Sequence, residues 1–248
     1  MLHLTLNRPD SRNALSIAMV AELRAALAAA EAAGDVRVIV LRGAGGHFCS
    51  GGDLKDMAAG AGDAAALRRL SAAFGEFCGA FADTGIATVA VLEGTVMGGG
   101  FGLACVADVA LAADTVSFRL PETSLGVVPA QIAPFLVQRL GYSQARRLAV
   151  SGGRLDGRQA LSLGLVHELH AAADLDAALA RVLGEILQCA PRAVAATKRL
   201  MAKALHREAS EMVPEAAELF AEAVLGEEGL EGVNAFVQKR RPRWVPTT

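Results

Sequence analysis

Two glycine-rich turns and one glutamate are the places in this sequence where chemistry could be done. The first turn, His47-Phe48-Cys49-Ser50-Gly51-Gly52-Asp53-Leu54, follows directly on an apolar strand pattern. Glycines there let the backbone turn its N–H groups toward a ligand. The second, Met97-Gly98-Gly99-Gly100-Phe101-Gly102-Leu103-Ala104, leaves an apolar strand and opens a helix. Free N–H groups and the helix dipole at such a point favour a developing negative charge. Two N–H-rich turns after two strands suggest an oxyanion hole built from both. The glutamate is Glu122, in Phe118-Arg119-Leu120-Pro121-Glu122-Thr123, placed between an apolar strand and a Leu-Gly-Val-Val run. Apolar surroundings raise a carboxylate's pKa toward neutrality, as general acid–base work requires. Each segment also has a plainer reading, as a tight turn without a ligand or as an ordinary loop glutamate.

Other chemistries find less support. The second turn is neither GxGxxG nor a Walker loop. A dinucleotide fold would also place its glycines after the first strand, where Asn7-Arg8-Pro9 stands. Cys49, Cys78, Cys105 and Cys189 are too far apart for a short metal-ligand pair and read as small buried hydrophobes. His167 and His170 form an H-x-x-H pair with neither a cysteine nor an HExxH pattern nearby, so no metal is expected. A formal net charge of -2 leaves no nucleic-acid footprint. The densest basic run, Lys239, Arg240, Arg241 and Arg243, reads as a solvated tail, with a phosphate or a neighbouring subunit as the alternative contact. Glu93 and Asp108 interrupt the longest apolar stretch before it reaches membrane-spanning length. The opening residues run straight into a strand pattern rather than a leader. The expectation is a soluble, cytoplasmic protein with no membrane partner.

These segments need elements to hold them. The 248 residues suffice for one large domain, or for a core with a helical appendage. Hydrophobic residues make up 53% of the chain, mostly Ala, Val and Leu, which indicates a helix-rich globular protein. Residues 2–6 alternate as a strand, Ser16 can cap a helix to about Ala33, and 36–41 form a buried strand, giving a β-α-β unit. Segment 54–63 reads as polar and mobile, 64–81 as a helix, 88–92 as a strand and 93–100 as a turn. A short helix over 101–107, strands over 109–112 and 116–120 and a loop over 121–126 follow. Helices are expected over 129–140, 143–150 and 156–161, then a last strand at Leu165 and Val166, then helices over 174–189, 191–206 and 213–225. The class is α/β, with a core over 1–190 and a helical C-terminal subdomain over 191–248.

In order and spacing, the chain resembles the enoyl-CoA hydratase/isomerase, or crotonase, family. The resemblance runs from Leu4-Thr5-Leu6-Asn7-Arg8-Pro9 and Arg12-Asn13-Ala14-Leu15 through Phe48-Cys49-Ser50-Gly51-Gly52-Asp53-Leu54 and Gly98-Gly99-Gly100. It continues in Ala107-Asp108, Pro121-Glu122, Leu125-Gly126 and Arg139-Leu140-Gly141, and closes at Glu231-Gly232 and Ala235-Phe236-Val237-Gln238-Lys239-Arg240. It implies a ββα spiral core with an α-helical C-terminal region, an acyl-CoA thioester as substrate, and no cofactor beyond the coenzyme A that enters with that substrate. The oxyanion amides would be those of Gly52 and Gly99, beside Gly98, with Glu122 as acid–base. The CoA nucleotide would lie near Arg12, Asn13 and Ala14 and beside Ser50, Gly51, Asp53 and Leu54, with Phe236 and Lys239 contributing in the same or a neighbouring subunit. The C-terminal helices would build a homotrimer, often paired into a hexamer.

One departure bears on the reaction. Straight-chain hydratases of the family use two glutamates; the second matches Glu122, but the first would fall on Gly102. A 3,2-trans-enoyl-CoA isomerase needs only one carboxylate. The stretches 98–105, 120–123 and 129–135 look most like hydratases of branched glutaconyl-CoA thioesters, from leucine and acyclic terpene breakdown. Hydration at C3 is therefore the favoured expectation, with isomerisation and non-catalytic acyl-CoA binding as alternatives. Gln131 is a candidate for placing the water or, equally, a buried helix residue. A dienoyl-CoA isomerase would need an aspartate where Ala130 stands. Arg68, Arg69 and Arg119 are candidate partners for a distal substrate carboxylate.

Overall fold

The computed structural model describes residues 1–60 and 62–246. It opens with the expected β-α-β unit. β1 (Leu2–Leu6) pairs in parallel with β2 (Val38–Gly43), Leu2 opposite Ile39 and Leu6 opposite Gly43. The crossover is α1 (Ile17–Ala33), started by the Ser16 hydroxyl, which accepts from the Met19 N–H at 3.2 Å. Met19, Val20, Leu23, Leu27 and Ala30 form its buried face, the spacing of a single helical stripe. In β2, Val38 to Leu41 are inaccessible on both faces, as the lack of alternation predicts for a parallel sheet.

The chain continues through α2 (Leu54–Ala59), α3 (Ala64–Asp83), β3 (Ala87–Leu92), β4 (Thr95–Met97), α4 (Gly99–Val106), β5 (Val109–Ala113) and β6 (Ser117–Arg119). A 3-10 turn, Glu122–Leu125, leads to α5 (Ala133–Ser151), β7 (Arg154–Asp156), α6 (Gly157–Ser162), β8 (Glu168–His170) and α7 (Leu175–Gln188). α8 (Pro191–Ala204), α9 (Ala209–Leu225) and α10 (Glu227–Val237) complete it. One sheet has the order β1-β2-β3-β5-β8; a smaller one has the order β4-β6-β7, parallel between β4 and β6 and antiparallel between β6 and β7. α4 is apolar all round and buried from Gly100 to Val106. Its C-terminal carbonyls are held by the Arg139 guanidinium, which donates to Cys105 O at 2.9 and 3.2 Å and also to Ala107 O. A cation there suits the negative end of the helix dipole.

Several expectations change. Residues 93–100 are not all turn: Thr95–Met97 is a strand, held between Cys49 on one side and β6 on the other. The supposedly mobile 54–63 segment contains α2, capped by the Asp53 carboxylate accepting from the Lys55 N–H; Ala61 lies outside the described residues. Leu165 and Val166 are buried, but the last strand forms at Glu168–His170, where β5 offers its edge. The helices expected over 129–140 and 143–150 are one element with a break at Gly141. α9 starts at Ala209 and carries Pro214 in its interior, where the ring supplies no N–H to the helical ladder.

The chain divides into two compact units, one of residues 1–82 and 88–179, the other of 83–87 and 180 onward. The division falls within α7, where the sequence reading put it at 190. In the second unit the Glu228 carboxylate accepts from the Arg192 and Ala193 N–H groups at the start of α8, at 3.0 to 3.1 Å. The basic run is not a free tail. Arg240 forms a two-pronged pair with buried Glu231 at 2.6 and 2.9 Å, and Arg243 joins it at 3.2 Å. Arg240 foremost, with the Arg243 N–H, holds the Glu231 carboxyl down to about 2. The Trp244 indole N–H donates to Gln188 O at 2.9 Å.

Candidate active site

The first glycine turn is fastened at both ends. Arg12 and Asn13 both take left-handed backbone, φ 50° and 59°. Asn13, wholly buried, accepts the Arg8 N–H at 2.8 Å and donates to Ala44 O and His47 O at 2.9 and 2.7 Å. This bolts the 12–14 turn to the segment leaving β2. Ser50 is tied to the same turn, its N–H donating to Arg12 O and its hydroxyl to Ser11 O. Leu15 N–H then donates to Gly51 O at 2.8 Å, and Asp53 N–H to Leu15 O at 3.0 Å. Asp53 also pairs with Arg8 at 2.8 Å, and Arg8 with the α2 amides holds its carboxyl below the usual range. The Asn13 and Asp53 side chains are thus engaged within the protein, while Arg12 and Leu54 are exposed.

On its other side the turn meets the second glycine segment. Cys49 N–H donates to Thr95 O and Met97 N–H to Cys49 O, at 3.0 and 2.9 Å. A Cβ at Gly51 would lie 3.1 Å from Met97 O and 3.6 Å from the Gly99 nitrogen. Gly98 caps α4, its own N–H donating to Arg119 O at 3.0 Å. Among the described residues neither Gly52 nor Gly99 spends its N–H on a backbone acceptor. Leu15 and Phe74 wall the Gly99 position, 2.9 and 3.2 Å from where a Cβ would stand.

The 3-10 turn after β6 brings in Glu122. A Cβ at Gly98 would lie 3.0 Å from its Oε1 and 3.7 Å from Gly51 Cα, so all three sequence segments converge. Glu122 Oε2 is buried with no hydrogen-bond partner. Burial pushes the carboxyl pKa up, offset in part by a hydrogen bond from its own N–H. Two unspent N–H groups from separate turns beside a desolvated carboxyl can polarise a carbonyl and move a proton next to it.

Gly102, the position opposite in the family pattern, has no room for a side chain. A Cβ there would overlap Ile132 Cγ2 and lie 2.9 Å from its Cβ. Gln131 is not in α5, which begins two residues later; its amide N–H donates to Ser71 Oγ on α3 at 3.1 Å. Arg68 is exposed on α3, Arg69 faces Asp63 at 3.9 Å, and Arg119 donates to Ser124 Oγ at 3.3 Å. Phe236 is 86% exposed, and Lys239 follows α10 in left-handed backbone; both belong to the second unit. Sequence reasoning missed Ser71, Phe74 and Ile132. The signal for Ile132 was the bare Gly102; for Ser71 and Phe74 it was Gly75, a glycine inside the helical run of α3.

Comparison with known proteins places this arrangement. The family described as Enoyl-CoA hydratase/isomerase matches residues 1–246. The solved structure of Pseudomonas aeruginosa AtuE is 55% identical, with a TM-score of 0.95 over 98% of this chain and 95% of that one. An enoyl-CoA hydratase/isomerase from Marinobacter aquaeolei is 46% identical, with a TM-score of 0.94 over 98% and 95%. Carnitinyl-CoA dehydratase of Proteus mirabilis is 33% identical over 220 residues, 84% of this chain and 81% of that protein.

Proposed function

The chain belongs to the enoyl-CoA hydratase/isomerase family, whose chemistry acts on CoA thioesters, and from that premise we propose that it adds water across the 2,3 double bond of a 2-enoyl-CoA of the branched glutaconyl type. The observation that carries the reading is the half-buried Glu122 carboxyl beside Gly98, its Oε2 sealed without a hydrogen-bond partner, with the second carboxylate seat at Gly102 filled by Ile132. The thioester oxygen sits between the Gly52 and Gly99 N–H groups. As the water oxygen bonds to C3, the Glu122 carboxylate takes one water proton and the C2=C3 electron pair moves into the enolate. The carboxylic acid so formed returns a proton to C2, which restores the carboxylate. A raised pKa suits both halves of this cycle. The 12–14 turn and the Ser50 to Leu54 segment form the bed for the CoA nucleotide.

The same lone carboxylate favours a second reading, isomerisation, in which Glu122 removes a proton from C2 of a 3-enoyl-CoA and returns it to C4. Turnover of 3-methylglutaconyl-CoA, crotonyl-CoA and 3-enoyl-CoA substrates in heavy-oxygen water separates the two. Hydration leaves label at C3 of the product. Double-bond migration without label overturns the hydratase reading, and no turnover of any substrate overturns both.

We propose also that the protein is a homotrimer, alone or paired into a hexamer, through its C-terminal helices. Phe220 and Leu225 of α9 and Phe236 and Val237 of α10 are 71 to 86% exposed. A surplus apolar face of this kind is characteristic of a subunit interface. Sedimentation at micromolar concentration is expected to give a trimeric or hexameric mass; a monomeric mass would contradict it.

A further inference from the structure

We propose that the side-chain oxygen of Gln131, held in place by Ser71, orients the water that attacks C3; this rests on the hydratase reading above. A water adding to an alkene must point a lone pair at carbon. Glu122 takes one of its protons, and the direction of the lone pair is then set by an acceptor for the other. The seat at Gly102 supplies none, because Ile132, 3% exposed, closes it with hydrocarbon. The residue immediately before Ile132 is Gln131.

The Gln131 amide is fixed in orientation. Its Nε2–H donates to Ser71 Oγ, so Oε1 points the other way, along α3 toward Gly75. A Cβ at Gly75 would run into that oxygen and stand 2.7 Å from Gln131 Cδ, so α3 carries a glycine where the amide passes. The preceding residue on α3, Phe74, covers the Gly99 position, so the amide lies on the wall that adjoins an oxyanion donor. Oε1 accepts no hydrogen bond from another described residue and is not among the sealed, unpartnered atoms, which leaves it open to a water. An amide oxygen can orient such a water without competing for its proton, because it is far less basic than a carboxylate.

The test compares two reactions of the same site. Hydration needs the oriented water. Exchange of the C2 proton of butyryl-CoA in deuterium oxide needs only Glu122 and the two N–H groups. Gln131→Met keeps the volume and removes the acceptor. It is expected to lower kcat for hydration by about 10- to 100-fold, the worth of one hydrogen bond to a group gaining charge. KM is expected to stay within about threefold, since ground-state binding is untouched, and C2 exchange persists. Gln131→Glu, which keeps an acceptor, is expected to recover hydration. If hydration and exchange fall together in Gln131→Met while Gln131→Glu recovers neither, the role is structural and the proposal fails. Unchanged hydration in Gln131→Met also overturns it. A parent protein that exchanges C2 protons but takes up no heavy oxygen overturns the hydratase reading itself.

Discussion

Replacing Glu122 by Gln is expected to lower kcat by about 100- to 10,000-fold, the range a positioned proton donor and acceptor contributes. The α-proton of a thioester is too weakly acidic for a carboxylate unless the carbonyl oxygen is stabilised as charge builds on it, and in the proposed site the Gly52 and Gly99 N–H groups would do that without reorganising. They survive the substitution, because they belong to the backbone. What is lost is the proton carrier, and with Gly102 closed by Ile132 no second carboxylate stands at that seat. KM is expected to change little, since the proposed CoA bed is on the 12–14 turn and the Ser50 to Leu54 segment. Stability moves the other way. A carboxyl whose pKa is raised by folding favours the fold below its unfolded pKa and loses that contribution as pH rises through the folded value. Burial makes ionisation of this carboxyl costly, and Gln carries no such cost, so the variant is expected to leave Tm unchanged or higher. A variant that kept near-full activity would move the proton to another group, with Glu93 first to examine.

The second large effect is expected at Gly98. Its backbone, φ 50° and ψ -118°, lies where a residue with a side chain is strained by about 1–3 kcal/mol. A Cβ there would also stand 3.0 Å from Glu122 Oε1. Gly98→Ala should therefore both destabilise the protein and displace the carboxyl. A misplacement of about 1 Å at a reacting group costs on the order of 100-fold in rate. Gly34→Ala separates the two causes. Gly34 ends α1 with φ 69° and nothing within 4 Å of an added Cβ, so it carries the strain alone. The expected pattern is a lowered Tm in both variants and a kcat loss of about 100-fold in Gly98→Ala only. Equal kcat values in the two would show that Gly98 does not govern the placement of Glu122.

The glycine turns and Glu122 could be read from the sequence because their signals are local. A glycine run after an apolar strand and a glutamate after a proline announce themselves within eight residues. β1, α1 and β2 were equally legible, since Ser16, Gly34 and an unbroken apolar stripe mark their limits. β4 was not, because three residues between glycine segments show no periodicity; the strand exists through its pairing with Cys49 and β6. α2 was hidden by its length of 6 residues and by Gly60 and Gly62 after it, and its cap Asp53 is also bound to Arg8, far away in sequence. The wall of the site was the least legible part. Ser71 and Phe74 meet Gln131 and Gly99 from a helix whose own pattern says only that it is amphipathic, and Ile132 follows Gly102 in the chain only after β5, β6 and the 3-10 turn. Such contacts depend on tertiary packing, and a single sequence records them only as unexplained glycines.

The central claim is that one carboxyl, Glu122, carries the proton. The most direct measurement is its titration by carbon NMR in protein labelled at the glutamate carboxyls, with Glu122→Gln to assign the resonance, set beside the pH profile of kcat/KM. The account predicts a single carboxyl titrating above the ordinary glutamate range, absent from the variant, and a limb of kcat/KM that rises with pH through that same value. A Glu122 that titrates in the ordinary range, with the kinetic pKa elsewhere, would contradict it.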